Sequence, residues 1–254
     1  DEKSDKYGEC ILTLEDHTND VSSVGFNHDG TKIVSGSYDE TVRVWNVESG
    51  NCEVTLEGHA SYIFSVAFSH DGKKIISGYT DKSVKIWNAE SEKCVTKIPG
   101  HTTWVRSAMF NHDLTKIVTS SFDKTIRVWD VACGSCTLVF DGHTDRVASA
   151  CFNNDSSMIA SGSWDKTVRL WDVESGECSV LTGHSNGVNA VAFNYDSTLL
   201  ASGSTDITIR IWDLDISECV LQLKGHTNSI FSVAFNHNST NIVSGSLDKT
   251  VRVW

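Results

Sequence analysis

Short runs bounded by apolar residues alternate with polar turns along nearly the whole chain. Val21-Ser-Ser-Val-Gly-Phe26 has the pattern of a partly buried strand. Asn27-His-Asp-Gly30 follows as a turn cluster. Ile33–Ser37 reads as a second strand and Tyr38-Asp-Glu40 as a tight turn. Thr41–Trp45, rich in β-formers, reads as a third strand, and Cys52–Leu56 as a fourth. No window carries sustained helical periodicity. The pattern predicts four short strands per unit.

The unit returns at a fixed period. A His recurs at His17, His59, His101, His143, His184 and His226, in steps of 42, 42, 42, 41 and 42 residues. A Trp recurs with the same steps at Trp45, Trp87, Trp129, Trp171, Trp212 and Trp254. An Asp stands six residues before each Trp, at Asp39, Asp81, Asp123, Asp165, Asp206 and Asp248. A Ser or Thr stands four before each Asp, at Ser35, Ser77, Thr119, Ser161, Ser202 and Ser244. Six such units call for an all-β repeat fold and exclude a βαβ arrangement.

Gly-His, then Ser-Gly-Ser-x-Asp, then a strand ending Trp-Asp resembles the WD-repeat (WD40-type) β-propeller family, from about Gly8 to Trp254. The resemblance implies a six-bladed β-propeller of four-stranded antiparallel blades around a central channel. It also implies a relay in each blade: Trp indole to Ser or Thr hydroxyl, hydroxyl to His, and the other His nitrogen to Asp. Asp16 replaces the Gly before His17, Asn46 and Asn88 replace the Asp after Trp, and the last unit stops at Trp254. Glu9–Leu14 aligns with the fourth strands at Cys52–Leu56 and Glu177–Leu181. It is expected to pair with the last blade and close the ring, removing exposed sheet edges. Residues 1–8 then form a polar tail and 9–254 a single domain.

Composition narrows the function classes. The 254 residues carry 33 acidic against 21 basic side chains, a formal charge of −12. That balance argues against non-specific binding to nucleic acid or to an anionic membrane. No run approaches 18 apolar residues, and the polar start lacks a signal-peptide pattern. Cys10, Cys52, Cys94, Cys136, Cys178 and Cys219 occupy one place per unit, too far apart across blades to pair, which suits an intracellular location in cytoplasm or nucleus.

Ser, His and Asp could form a hydrolase triad. An active site occurs once, whereas this set occurs six times, each tied to a Trp that a nucleophile would not need. The relay is therefore expected to be structural and the protein not an enzyme. Cys133 and Cys136 form an isolated C-x-x-C with no second ligand pair, so no metal is expected. His28, His70, His112 and His237 lie in turns on separate units and read as solvated turn residues without convergence. No phosphate loop or other cofactor motif is present.

The family resemblance places three rim positions per blade on the top face: three and five residues after the His, and one before the Asp. Trp104 and Trp164, the two Trp outside the repeat framework, both fall there. So do Tyr38, Tyr62, Phe64, Arg106, Phe122, Arg146, Phe231 and Leu247. Trp, Tyr and Arg dominate binding hot spots. The expectation is a monomeric, non-catalytic interaction scaffold binding a protein or peptide there, and the two Arg beside rings suit an acidic or phosphorylated one. Two alternatives stand beside it: an assembly subunit whose ring a partner completes, and a recently amplified or engineered array without a selected ligand.

Overall fold

The structure, a computed structural model, describes residues 10–57 and 61–254. Blade one comprises β1 (Val21–Phe26), β2 (Lys32–Ser37), β3 (Val42–Asn46) and β4 (Cys52–Leu56). Blade two comprises β5 (Ile63–Phe68), β6 (Lys74–Tyr79), β7 (Ser83–Asn88) and β8 (Cys94–Pro99). Blade three comprises β9 (Val105–Phe110), β10 (Lys116–Ser121), β11 (Ile126–Asp130) and β12 (Cys136–Phe140). Blade four comprises β13 (Val147–Phe152), β14 (Met158–Ser163), β15 (Val168–Asp172) and β16 (Cys178–Leu181). Blade five comprises β17 (Val188–Phe193), β18 (Leu199–Ser204), β19 (Thr208–Asp213) and β20 (Glu218–Lys224). Blade six holds β21 (Ile230–Phe235), β22 (Ile242–Ser246) and β23 (Val251–Val253).

Each blade is an antiparallel meander in sequence order, as tight turns between successive strands require. The result is an all-β, six-bladed propeller. No helix among the described residues is long and apolar enough to cross a membrane.

The core lies between blades. Val34, Val42, Val44 and Leu56 of blade one pack with Ile63, Val66, Ile75 and Trp87 of blade two, and four further clusters repeat this across the next junctions. Burying each Val or Ile contributes about 1.5–3 kcal/mol. A glycine socket lets the blades approach. A Cβ added at Gly36 would lie 2.6 Å from Ile63 Cγ2, and one at Gly203 would lie 2.7 Å from Ile230 Cγ2. A serine clasp adds backbone hydrogen bonds: the amides of Val66, Ala108, Ala150 and Val191 donate to Ser23, Ser65, Ser107 and Ser149 of the preceding blade.

The sixth junction differs. The inner strands pack β1 on β5, β5 on β9, β9 on β13, β13 on β17 and β17 on β21, with no comparable packing of β21 on β1. Val24 is 66% exposed, against 5% for its equivalent Val66. Val251 is 72% exposed, against 0% for Val42. Among the described residues Gly245 has only its own blade's Ser232 near it, so none of them fills its socket.

The expected closing strand is not formed among the described residues. Cys10–Leu14 carry no strand, β23 has no fourth partner, and Glu9 lies outside the described residues. Leu12 instead approaches Gly50, just as Thr96 approaches Gly134 two blades on. The segment thus lies where a preceding blade's outer strand would lie, without bonding to β23.

Candidate functional site

Hydrogen bonds within each blade fix the loops that carry the rim. In blade three, Trp129 Nε1 donates to Thr119 Oγ1 at 2.8 Å. Thr119 Oγ1 and His101 Nε2 are 2.7 Å apart, and His101 Nδ1 meets Asp123 Oδ2 at 2.8 Å. An ionised carboxylate only accepts, so Nδ1 carries the proton and Nε2 accepts from the hydroxyl. The same set forms from His17, Ser35, Asp39 and Trp45. It recurs from His143, Ser161, Asp165 and Trp171, and from His184, Ser202, Asp206 and Trp212. His226, Ser244, Asp248 and Trp254 form the set in blade six.

Blade two shows part of the set among the described residues. His59 lies outside the described residues. Trp87 Nε1 donates to Ser77 Oγ at 2.9 Å, while Ser77 also bonds the hydroxyl of Tyr79, a fully buried residue where blade one has Ser37. Burial pushes the Tyr79 phenol well above its ordinary pKa. Asp81 accepts from the Ser83 amide and hydroxyl.

The carboxylates are strongly engaged. Burial pushes Asp165 up, but hydrogen bonds from Thr167 and His143 outweigh it and hold the group at about 2. Asp39, Asp123, Asp206 and Asp248 are also lowered: burial opposes, and bonds from the following Thr and the blade's His prevail. Burial lowers the His143 pKa despite Asp165 beside it.

The pinned turns pair with each other. The residue before each Asp donates its amide to the carbonyl three residues after the His: Tyr38 to Asp20, Phe122 to Trp104, Trp164 to Arg146 and Leu247 to Ser229, all at 2.9–3.1 Å. Neighbouring blades thereby bring their rim side chains into contact.

The contacts form an arc over blades one to four. Tyr38 stacks on Tyr62 with centroids 5.1 Å apart and meets Phe64 edge-on at 5.7 Å. Phe64 meets Trp104 at 5.6 Å, Trp104 meets Phe122 at 5.7 Å, and Phe122 meets Trp164 at 5.3 Å. Arg106 lies over Phe64, its guanidinium carbon 5.2 Å from the centroid. Arg146 lies 4.8 Å from the Phe122 centroid and 4.9 Å from that of Trp164. Tyr62, Trp104, Arg146 and Trp164 are exposed, and Tyr38, Phe64, Arg106 and Phe122 half-buried. Phe231 and Leu247 are exposed on blade six and stand apart from these ring contacts. They line the channel's top mouth, about 970 Å³, with Asp20, Tyr38, Phe64, Arg106 and Asn189.

Blade five ends the arc. Trp164 Nε1 donates to Asn189 Oδ1 at 3.2 Å, and Asn189 Nδ2 donates to the Ile230 carbonyl at 2.9 Å. Asn189 stands five residues after its His, the position of Phe64 and Arg106 in their units, so the repeat register pointed to it.

The other mouth, about 620 Å³, brings together turn residues expected to stay apart. His28 and His70 have centroids 4.1 Å apart, and His70 and His112 4.7 Å. Burial, then the neighbouring His28 and His112, lower the His70 pKa. Equivalent turns converge on the channel, so residues 42 apart in sequence become neighbours. The described residues contain no group of three His, Cys, Asp or Glu arranged to hold a metal. Cys133 is exposed, with its thiol 3.2 Å from Asp130 Oδ1, and Cys151 is a buried core residue whose thiol burial pushes up to about 12.

Known proteins share the repeat. The vegetative incompatibility protein HET-E-1 of Podospora anserina is 44% identical over 45 residues, which is 18% of this chain and 3% of that protein. A probable cytosolic iron-sulfur protein assembly protein 1 of Cryptococcus neoformans is 46% identical over 44 residues, 17% of this chain and 10% of its own length. A periodic tryptophan protein 2 homolog of Schizosaccharomyces pombe is 45% identical over 42 residues, 16% of this chain and 5% of its own length. These alignments span one repeat and a tenth or less of each relative. The family model for the WD domain, G-beta repeat, matches residues 8–46, 50–88, 92–130, 134–172, 176–213 and 217–254. The chain belongs to the WD40 repeat family, a class of β-propellers that typically serve as protein-interaction scaffolds.

Proposed function

We propose that this propeller is a non-catalytic scaffold that docks a protein or peptide on the top-face arc of Tyr38, Tyr62, Phe64, Trp104, Arg106, Phe122, Arg146 and Trp164. The observation that carries the reading is the unbroken ring-to-ring contact from Tyr38 to Trp164, with two guanidiniums laid over it. Rigid aromatic surface binds with little loss of side-chain freedom, and desolvated rings with Arg make hot spots. Phe231 and Leu247 extend the apolar rim across the mouth. An acidic or phosphorylated segment suits the arginines. Eight unpaired thiols support an intracellular setting, and the charge of −12 speaks against nucleic acid and anionic membranes as ligands.

Affinity capture from a lysate of source cells tests the reading. The chain is compared with its Tyr62→Ala, Trp104→Ala, Arg146→Ala, Trp164→Ala variant after both give cooperative melts. A partner retained only by the unaltered chain supports top-face docking. Equal capture by both moves the site elsewhere.

A second reading has its own observation. The unfilled Gly245 socket, the exposed Val251 and Val253 on one flank, and the exposed Val21, Val24 and Phe26 on the other fit an assembly subunit whose ring a partner completes. Native mass spectrometry separates the readings: a lone chain at micromolar concentration speaks against self-completion, and a complex lost on Gly245→Leu supports it.

A further inference from the structure

We infer that the top mouth is a carboxylate subsite: Arg106 receives an acidic side chain of the docked segment, and Arg146 receives a second one no more than about six residues away. The inference rests on the top-face docking reading and specifies the ligand of that same site.

Arg106 is half-buried, and among the described residues its guanidinium makes a single hydrogen bond, to the Phe64 carbonyl at 3.4 Å. Among the described residues it has no carboxylate partner, and neither has Arg146. Among the described residues Arg43 is the one Arg with such a partner, Asp16 at 3.6 Å, and Arg106 differs from the other unpaired arginines in lining the channel's top mouth. A partly desolvated cation whose donors are mostly unused is stabilised by an anion that brings its own acceptors. Phe64 backs the guanidinium, and the aromatic face fixes its plane, which prepares it for the paired hydrogen bonds of a carboxylate.

The mouth also selects the charge of the ligand. Arg106 is the sole Lys or Arg among its lining residues, and Asp20 is the sole acidic one. With Asp20 in the same space, a docked carboxylate adds one negative charge where a dianionic phosphate adds two, so the carboxylate meets the smaller repulsion and desolvation cost. Blade four contributes the small Ala148 five residues after its His, where blade three has Arg106, which leaves room beside the guanidinium.

Geometry sets the spacing. From Arg106 the contacts run through Phe64, Trp104 and Phe122 to Arg146 in steps of 5.2, 5.6, 5.7 and 4.8 Å, so the two guanidiniums stand at most about 21 Å apart. An extended chain advances about 3.3–3.6 Å per residue, so about six residues cover that span. Aliphatic residues between the two acids would then cross the exposed face of Trp104.

Fluorescence anisotropy with three labelled hexapeptides tests this: Glu-Leu-Ala-Gly-Leu-Glu, the same peptide with Gln at both ends, and the same with phosphoserine at both ends. The expected result is binding of the Glu peptide, at least tenfold weaker binding of the Gln peptide, and loss of that preference in Arg106→Gln protein that melts cooperatively. Equal binding of the Glu and Gln peptides overturns the carboxylate subsite and leaves top-face docking standing. Phosphoserine binding tenfold tighter than Glu overturns the choice of carboxylate over phosphate. No binding of any of the three contradicts the subsite and the peptide-docking reading together.

Discussion

Trp164 rests on Gly187 of the next blade: a Cβ added to that glycine would lie 3.1 Å from Trp164 Cδ1 and 3.2 Å from its Cα. The absence of a side chain at Gly187 thus sets how far the arc extends. Gly187→Val should displace the Trp164 ring at an overpacking cost of about 1–3 kcal/mol. Trp emission should shift and partner capture should fall at least threefold. Unchanged emission and capture would mean that Trp164 is not held by this contact.

The relay carboxylates should matter to stability. Asp123 accepts from His101, the Thr102 amide, and both the amide and hydroxyl of Thr125. Removing it orphans donors that are largely shielded from water. Asp123→Ala should cost about 2–4 kcal/mol, with each lost bond counting roughly 0.5–1.5 kcal/mol. A thermal melt checks this: each kcal/mol should move the midpoint by about 2–4 °C, and a midpoint unchanged within about 1 °C would assign the relay no stabilising role.

Stability should fall on acidification. Asp165, at about 2, and the four carboxyls lowered with it release their protons more readily in the folded chain than in the unfolded chain. Below about pH 4 the unfolded state therefore binds more protons, so the stabilisation is full above that value and drains away towards pH 2. His143 acts in the same direction from its ordinary value of 6.5 downwards, because burial lowers its folded pKa. Melts at pH 7, 5 and 3 should show midpoints decreasing in that order, and Asp165→Asn should reduce the slope. A midpoint rising towards pH 3 would reverse the sign.

Two turns carry avoidable strain. Leu114 has φ 62° where the equivalent turns of blades one and two use Gly30 and Gly72. Ile207 has φ 66° and is exposed, where four other units place Lys. Bulky and β-branched residues enter this left-handed region at a cost, whereas Asn tolerates it. Leu114→Asn and Ile207→Asn should each raise stability by about 0.5–1 kcal/mol, read as a higher denaturant midpoint. A lower midpoint for both would show that their side-chain contacts outweigh the backbone strain.

Much of the fold was legible in the sequence. The runs Val21–Phe26 and Cys52–Leu56 coincide with β1 and β4 as observed, because alternation bounded by turn residues leaves little freedom in strand limits. The repeat count was legible too, but whether the end blades meet was not. Repeat spacing carries no information about ring radius, and Leu12 settles on Gly50 instead of bringing its segment to β23. The same gap hid the ring contacts of His28, His70 and His112, which share a wall only once the blades converge. Tyr79 escaped notice because its position reads as an ordinary strand residue until its hydroxyl meets Ser77 in the core. At the rim, register identified which residues belong together. The order in which Phe64, Trp104, Phe122 and Trp164 touch depends on how adjacent blades are turned against each other.

Hydroxyl-radical footprinting of the chain with its captured partner reads out directly whether docking covers the aromatic arc. Tyr62, Trp104 and Trp164 are exposed on the top face, and Tyr195, also exposed, lines the opposite mouth beside His237. With docking on the arc, partner binding protects Tyr62, Trp104 and Trp164 at least threefold and leaves Tyr195 unchanged. Protection of Tyr195 with the three top-face residues still fully reactive would contradict it.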